Sequence, residues 1–355
     1  MTVARRGRLA QGVAELSPGY FAFVMASGIV SVALEVEGYD LLSAVTFGVG
    51  IVGYLTLLVL TCWRVIAFGD RFLADFRDPK RAFGFFTFVA GTNVLGTRAG
   101  IEGWYAATAV ALAIGGLVWL VLGYVVPWSA VMSREERPVV LAANGTWFVW
   151  VVASQSVAIV ASTLARVHGV EGLPILAVTA WSVGVVTYAA SAVFVSLRLM
   201  LYPFGPEEFE PSYWVSMGAI AITILAGAGI VEMDSTPMVD AIRDLVAGLS
   251  VVFWCFATWL IPVLFAAGVW RHVLRKVPLV YEPNLWSIVF PLGMYAVASI
   301  SLGRADQLPA VSTLGQAWLW LAFAAWVVVL AAMVGHLVRP GNSRDAAAAP
   351  VEASR

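Results

Sequence analysis

Long apolar runs alternate along this chain with short clusters of glycine, proline and charge, and the runs are of membrane-crossing length. A spanning helix needs roughly 20 mostly apolar residues. Ten stretches qualify: residues 19–36, 41–63, 83–99, 104–126, 142–165, 173–197, 211–231, 245–270, 285–303 and 312–336. The gaps carry punctuation such as Gly69-Asp70-Arg71, Asp78-Pro79-Lys80-Arg81 and Pro203-Phe204-Gly205-Pro206. The pattern predicts an all-α polytopic membrane protein. Its expected parts are an N-terminal segment (1–16), a ten-helix transmembrane domain (17–338) and a short polar tail (339–355) whose composition predicts disorder.

The odd-numbered runs repeat a layout. An aromatic pair comes first, followed about five positions on by small or polar residues. Tyr20-Phe21 precedes Ala26-Ser27-Gly28, Phe85-Phe86 precedes Gly91-Thr92-Asn93, and Trp147-Phe148 precedes Ala153-Ser154-Gln155. Tyr213-Trp214 with Gly218-Ala219, and Leu285-Trp286 with Phe290-Pro291-Leu292-Gly293, complete the set. The first members are spaced 65, 62, 66 and 72 residues apart, one helical hairpin each time. Even-numbered runs such as 41–63 and 104–126 are richer in Leu, Val and Trp. Polar residues at membrane depth face the bundle interior or a cavity. The expectation is therefore five hairpins, with the odd helices in an inner ring around a central pore and the aromatic pairs near one interface.

Composition excludes a soluble protein. Hydrophobic residues make up 61% of the 355 residues and charged residues 12%, with 15 tryptophans and a mean hydropathy of +0.87. A net charge of −1 gives no reason to expect a nucleic-acid partner. The distribution of charge is more informative, because cytoplasmic loops carry the excess of Lys and Arg. Seventeen of the 21 fall on one side of the ten runs, and only Arg98, Arg166, Arg243 and Arg304 on the other. That asymmetry puts both termini in the cytoplasm. The first residues, MTVARRGRLAQGVAEL, do not have the form of a signal peptide. Cys62 and Cys255 lie inside apolar runs and read as small core residues, and His168, His272 and His336 are far apart, so neither a metal site nor a cofactor is expected.

The runs contain no Asp or Glu except Glu35, at the end of the first, and no Lys or Arg at depth. Coupled carriers generally keep an ionisable group or ion site at mid-membrane, whereas a neutral pathway suits a pore that releases its ion readily. Ser27, Thr92, Asn93, Ser154 and Gln155 are candidates to line it, each with an interhelical hydrogen bond as its alternative role. Arg98 and Arg304, with Arg166, would give the outer mouth positive charge, or would simply anchor the helices at the interface. Phe290-Pro291 interrupts an otherwise uncharged run, and a proline inside a helix removes one backbone hydrogen bond. In register Phe290 matches Met25, Ala90, Val152 and Gly218, so one ring would meet four mostly smaller side chains, with Gly293 one turn on. A hydrophobic constriction of this kind gates by excluding water.

Ser17-Pro18-Gly19-Tyr20-Phe21, Asn144-Gly145-Thr146-Trp147-Phe148 with Gln155-Ser156, and Trp286-Ser287-Ile288-Val289-Phe290-Pro291-Leu292 carry a resemblance. Their order and spacing resemble the tellurite-resistance/dicarboxylate transporter family, which includes plant slow-type anion channels, bacterial tellurite-resistance protein A and malic-acid transporters. The likeness covers residues 17–337. It implies five hairpins around a pore, assembly as a homotrimer of separate pores in the plasma membrane, and a pore-occluding aromatic residue at the position of Phe290. This chain departs in having only one mid-depth proline among its odd helices, Pro291. The expected function is an anion channel or facilitator for small inorganic anions or C4-dicarboxylates. The alternative is a proton-coupled exporter of dicarboxylate, sulfite or a tellurite-type oxyanion. A membrane enzyme is not expected, since no paired carboxylates and no Ser/His/Asp set lie at depth.

Overall fold

The computed structural model describes residues 3–132, 138–305 and 307–338. The 339–355 tail and Arg134, Arg137, Arg339, Arg344 and Arg355 lie outside them. All regular structure among the described residues is helical. A helix α1 (Val3–Ala14) precedes five hairpins: α2 (Ala22–Val36) with α3 (Asp40–Ala67), α5 (Phe86–Ile101) with α6 (Tyr105–Met132), α7 (Phe148–His168) with α8 (Gly172–Leu201), α9 (Val215–Val231) with α10 (Pro237–Val269), and α11 (Trp286–Ala305) with α12 (Pro309–Val338). A short helix α4 (Gly69–Arg77) lies between the first two hairpins. It is held there by Asp75, which takes Arg64 of α3 at 2.7 Å and Arg81 at 3.0 Å.

The hairpin turns are tight. The first three use a glycine with positive φ (Gly38 at 79°, Gly103 at 78°, Gly169 at 60°), a conformation that strains other residues. Within each hairpin the two helices pack side by side. Between hairpins, α2 packs on α5, α5 on α7, α7 on α9, α9 on α11, and α11 returns to α2, so the contacts close a cycle. The two helices of a hairpin are not equivalent. Over their most apolar windows α2, α7, α9 and α11 are 78–89% buried, against 17–33% for α3, α6, α8, α10 and α12. The exposed helices turn large apolar side chains outward, among them Leu41, Ile66 and Met200. Such a surface requires an apolar solvent, and the bilayer supplies it.

Nine helices among the described residues are long and apolar enough to cross a membrane. The remaining predicted span, 83–99, corresponds to α5 and the turn before it, where Gly91, Thr92, Asn93, Thr97 and Arg98 dilute the apolar character. Both cysteines correct the sequence reading: Cys62 on α3 and Cys255 on α10 are exposed free thiols. Apolarity marks an outward face as readily as a core when the surrounding solvent is lipid.

Candidate pore

Each buried helix is entered through one turn of 3₁₀ helix: Pro18–Phe21, Ala82–Phe85, Gly145–Trp147, Pro211–Trp214 and Pro283–Leu285. Three of these start on proline, which fits a first turn because its missing N–H would have no partner there. Two are capped by side chains: the Gly19 N–H donates to Ser17 Oγ at 3.3 Å, and the Thr146 N–H to Asn144 Oδ1 at 2.9 Å. The recurring aromatic pairs sit where the turn passes into the α-helix. All five helices thus begin at one end of the bundle.

A cavity lies at each end of the cycle. At the N-terminal end, about 520 Å³ is lined by the approaches to all five helices, including Tyr20, Lys80, Asn144, Glu210 and Asn284. At the C-terminal end, about 480 Å³ is lined by the last turns of the same five, including Val36, Thr97, Arg166, Glu232 and Ser301. Phe290, Met25, Ala90, Val152 and Gly218 line neither cavity and are buried in the packed stretch between them; Phe290, Ala90 and Val152 have no exposed surface. Helix α11 runs on through Pro291 without a break. The proline ring is instead seated on Gly218 of α9, where an added Cβ would stand 2.8 Å from Pro291 Cγ. Gly293 makes the matching close approach to Ile29 of α2. Helix α11 is therefore keyed into both neighbours within one turn of Phe290.

The polar candidates have partners on the surrounding helices. Ser27 accepts from Trp326 Nε1 at 3.0 Å, Thr92 shares a 2.9 Å hydrogen bond with Tyr54, and Ser154 accepts from Trp119 Nε1 at 2.9 Å. Asn93 donates to Ser156 at 3.0 Å and Gln155 to the Trp181 carbonyl at 3.2 Å. Their amides press on glycines of their own hairpins, Gly115 and Gly184, where any side chain would collide. Two further bonds continue the series: Trp181 Nε1 donates to the Thr223 carbonyl at 3.1 Å and Trp254 Nε1 to Ser299 at 2.9 Å. Each exposed helix thus sends one hydrogen-bonding aromatic side chain to the buried helix of the next hairpin, around the whole cycle. Nothing in one sequence marks this belt beyond the abundance of tryptophan.

The arginines are neutralised. Arg98 is buried and points into the first hairpin, donating to Ser31 at 3.1 Å and Ser43 at 3.0 Å and pairing with Glu35 at 2.7 Å and Glu102 at 2.8 Å. Arg304 pairs with Glu37 at 2.6 Å. Neither lines the C-terminal cavity. Arg166 does, paired there with Glu232. Sequence reading named the cations and Glu35 but paired none of them; Glu102 lies one helical turn from Arg98, whereas Glu35, Glu37 and Glu232 come alongside their arginines only in the fold. At the opposite end Glu15, Glu210 and Glu282 line the cavity with Lys80 and Arg81. Burial, and then the neighbouring Glu282, raise the Glu210 carboxyl above the usual carboxylate range, against Lys80 and Arg271.

An uncharacterized membrane protein of Mycobacterium tuberculosis is 52% identical over 163 residues, 45% of this chain and 83% of that protein. An uncharacterized transporter of Methanocaldococcus jannaschii is 26% identical over 328 residues, 88% of this chain and 91% of that one. The profile of the SLAC1 family, described as voltage-dependent anion channel, matches residues 15–334. With nearly its whole length matched, this chain is a membrane protein of the SLAC1 anion-channel and transporter family.

Proposed function

We propose that the chain is an anion channel or facilitator that passes small inorganic anions, C4-dicarboxylates or both, along the axis of the five buried helices, and that Phe290 with Pro291 closes it. The observation that carries this reading is the pair of cavities at opposite ends of one closed helix cycle, with an apolar, fully packed stretch between them. Across that stretch (residues 22–34, 86–97, 148–165, 215–231 and 286–303) the helices contain no Asp, Glu, Lys, Arg or His. A proton-coupled carrier would need a titratable group there; a dewetted constriction needs none. The excess of Lys and Arg at the helix N-termini orients that end toward the cytoplasm. Arg166 is the cation best placed at the other mouth.

The test is current through the purified protein in planar bilayers, in chloride, nitrate and malate. Wild type should pass little, Phe290→Ala on the order of tenfold more, the factor that about 1.4 kcal/mol of lost barrier gives, and Phe290→Leu an intermediate amount. Equal currents in all three would remove Phe290 from the gate. Silence in all three, with malate uptake into liposomes only under a proton gradient, would replace the channel by a coupled carrier.

A further inference from the structure

The cavity at the helix N-termini holds more carboxylate than an anion pathway requires. Five helix N-termini converge on it, and their partial positive charge already favours anions. Yet among the described residues Glu15, Glu210 and Glu282 line it beside Lys80 and Arg81. Arg81 is engaged by Asp75 at 3.0 Å. Arg271, which reaches toward Glu210 from the end of α10, gives its Nη1 to the carbonyls of Pro206, Glu207 and Phe209. Glu210 and Glu282 therefore place two carboxylates at the mouth an anion would pass, one from the approach to α9 and one from the approach to α11.

We propose that Glu210 and Glu282 are specificity-determining residues that select monoanions over dianions at this mouth, and that acid relaxes the selection. The inference rests on the anion-pathway reading above. Coulomb energy scales with the product of charges, so a dianion is penalised twice as strongly as a monoanion. One carboxylate about 6 Å from the ion, in water-like surroundings, changes admission about threefold for a monoanion and about ninefold for a dianion. The groups facing Glu210 are Glu282, Lys80, Arg271 and the Tyr213 phenol. Tyr20 lines the same cavity, and Arg271 and His272 flank Glu282 across an adjoining apolar recess. On acidification the phenols stay neutral and the Lys and Arg stay charged. Glu210, held above the usual range by burial and by Glu282, takes up a proton before an ordinary glutamate does.

The experiment measures nitrate and malate flux into proteoliposomes at pH 7.5, where malate is a dianion, for wild type, Glu210→Gln, Glu282→Gln and the double variant. Nitrate, which does not titrate, is then followed at pH 5.5. The double variant should gain about tenfold in nitrate flux and a further severalfold in the malate-to-nitrate ratio, and acid should speed nitrate in wild type but not in the double variant. An unchanged ratio at pH 7.5, or equal acid stimulation in both proteins, overturns the proposal. A folding defect would lower both fluxes together and leave the ratio alone, so it counts against the proposal. Absence of flux in every variant, Phe290→Ala included, fails the pathway reading itself and takes this inference with it.

Discussion

Phe290 is a gate candidate less for its ring than for how firmly its helix is fixed. Pro291 on Gly218 and Gly293 on Ile29 leave no slack on either side of α11. Gly218→Val should force the proline ring away and cost about 1–3 kcal/mol, the usual penalty for overpacking, read as a lower unfolding midpoint in detergent. Leaving the midpoint unmoved would mean the α9–α11 contact is loose and Phe290 correspondingly mobile. The polar residues invite the opposite test. Ser27, Thr92 and Ser154 look in the sequence like a pore lining, because polarity at depth is visible there and direction is not. In the fold each hydrogen-bonds an aromatic side chain from the helix behind it. Ser154→Ala should therefore lower stability by about 0.6–1.7 kcal/mol, the range for hydrogen bonds between membrane helices, and leave the ratio of chloride to nitrate current unchanged. A shifted ratio would return Ser154 to the pathway.

At the level of helices, the repeat was legible because it is written in residue types with fixed backbone roles: proline or glycine opening four of the five 3₁₀ turns, bulky aromatic residues at the junction with the helix, then small residues where neighbours come close. What joins the hairpins was not legible. The Arg304–Glu37 pair spans 267 residues, and the Trp326–Ser27 bond spans 299. A single chain gives no sign of such pairings before the cycle closes. The Trp326–Ser27 bond is also the one aromatic tie of the belt that joins the last hairpin to the first, so it bears on closure directly. A double-mutant cycle of Trp326→Phe and Ser27→Ala should yield a coupling of about 0.6 kcal/mol. Additive losses would mean that ring packing, rather than the hydrogen bond, holds α12 to α2. Arg98 is a stronger tie of the same kind between the first two hairpins. Arg98→Gln leaves the largely buried Glu35 without its cation, and removing one member of a buried pair costs about 3–5 kcal/mol. The variant should unfold at a clearly lower temperature, and recover in part when Glu35→Gln is added.

For the whole molecule, the two ends of the bundle differ in their charge, and that difference is the basis for the orientation proposed above. The end where the buried helices begin carries Arg71, Arg77, Lys80, Arg81, Arg198, Arg271, Arg275 and Lys276. The other end carries Arg98, Arg166, Arg243 and Arg304, and each of these pairs with an acidic side chain. Cytoplasmic loops carry the excess of Lys and Arg, so the orientation we propose puts the first end in the cytoplasm. In that orientation the carboxylate-bearing mouth would meet anions leaving the cell, and the cavity with Arg166 and Glu232 would face outward. Single cysteines report this directly once the lipid-facing Cys62 and Cys255 are replaced by alanine. Glu232→Cys, half-exposed in the C-terminal cavity, should react with a membrane-impermeant maleimide on intact cells. Lys80→Cys, exposed at the other mouth, should react only after permeabilisation. The reverse labelling would turn the bundle over. Glu210 and Glu282 would then act on anions arriving from outside, and their response to acid would follow external rather than cytoplasmic pH.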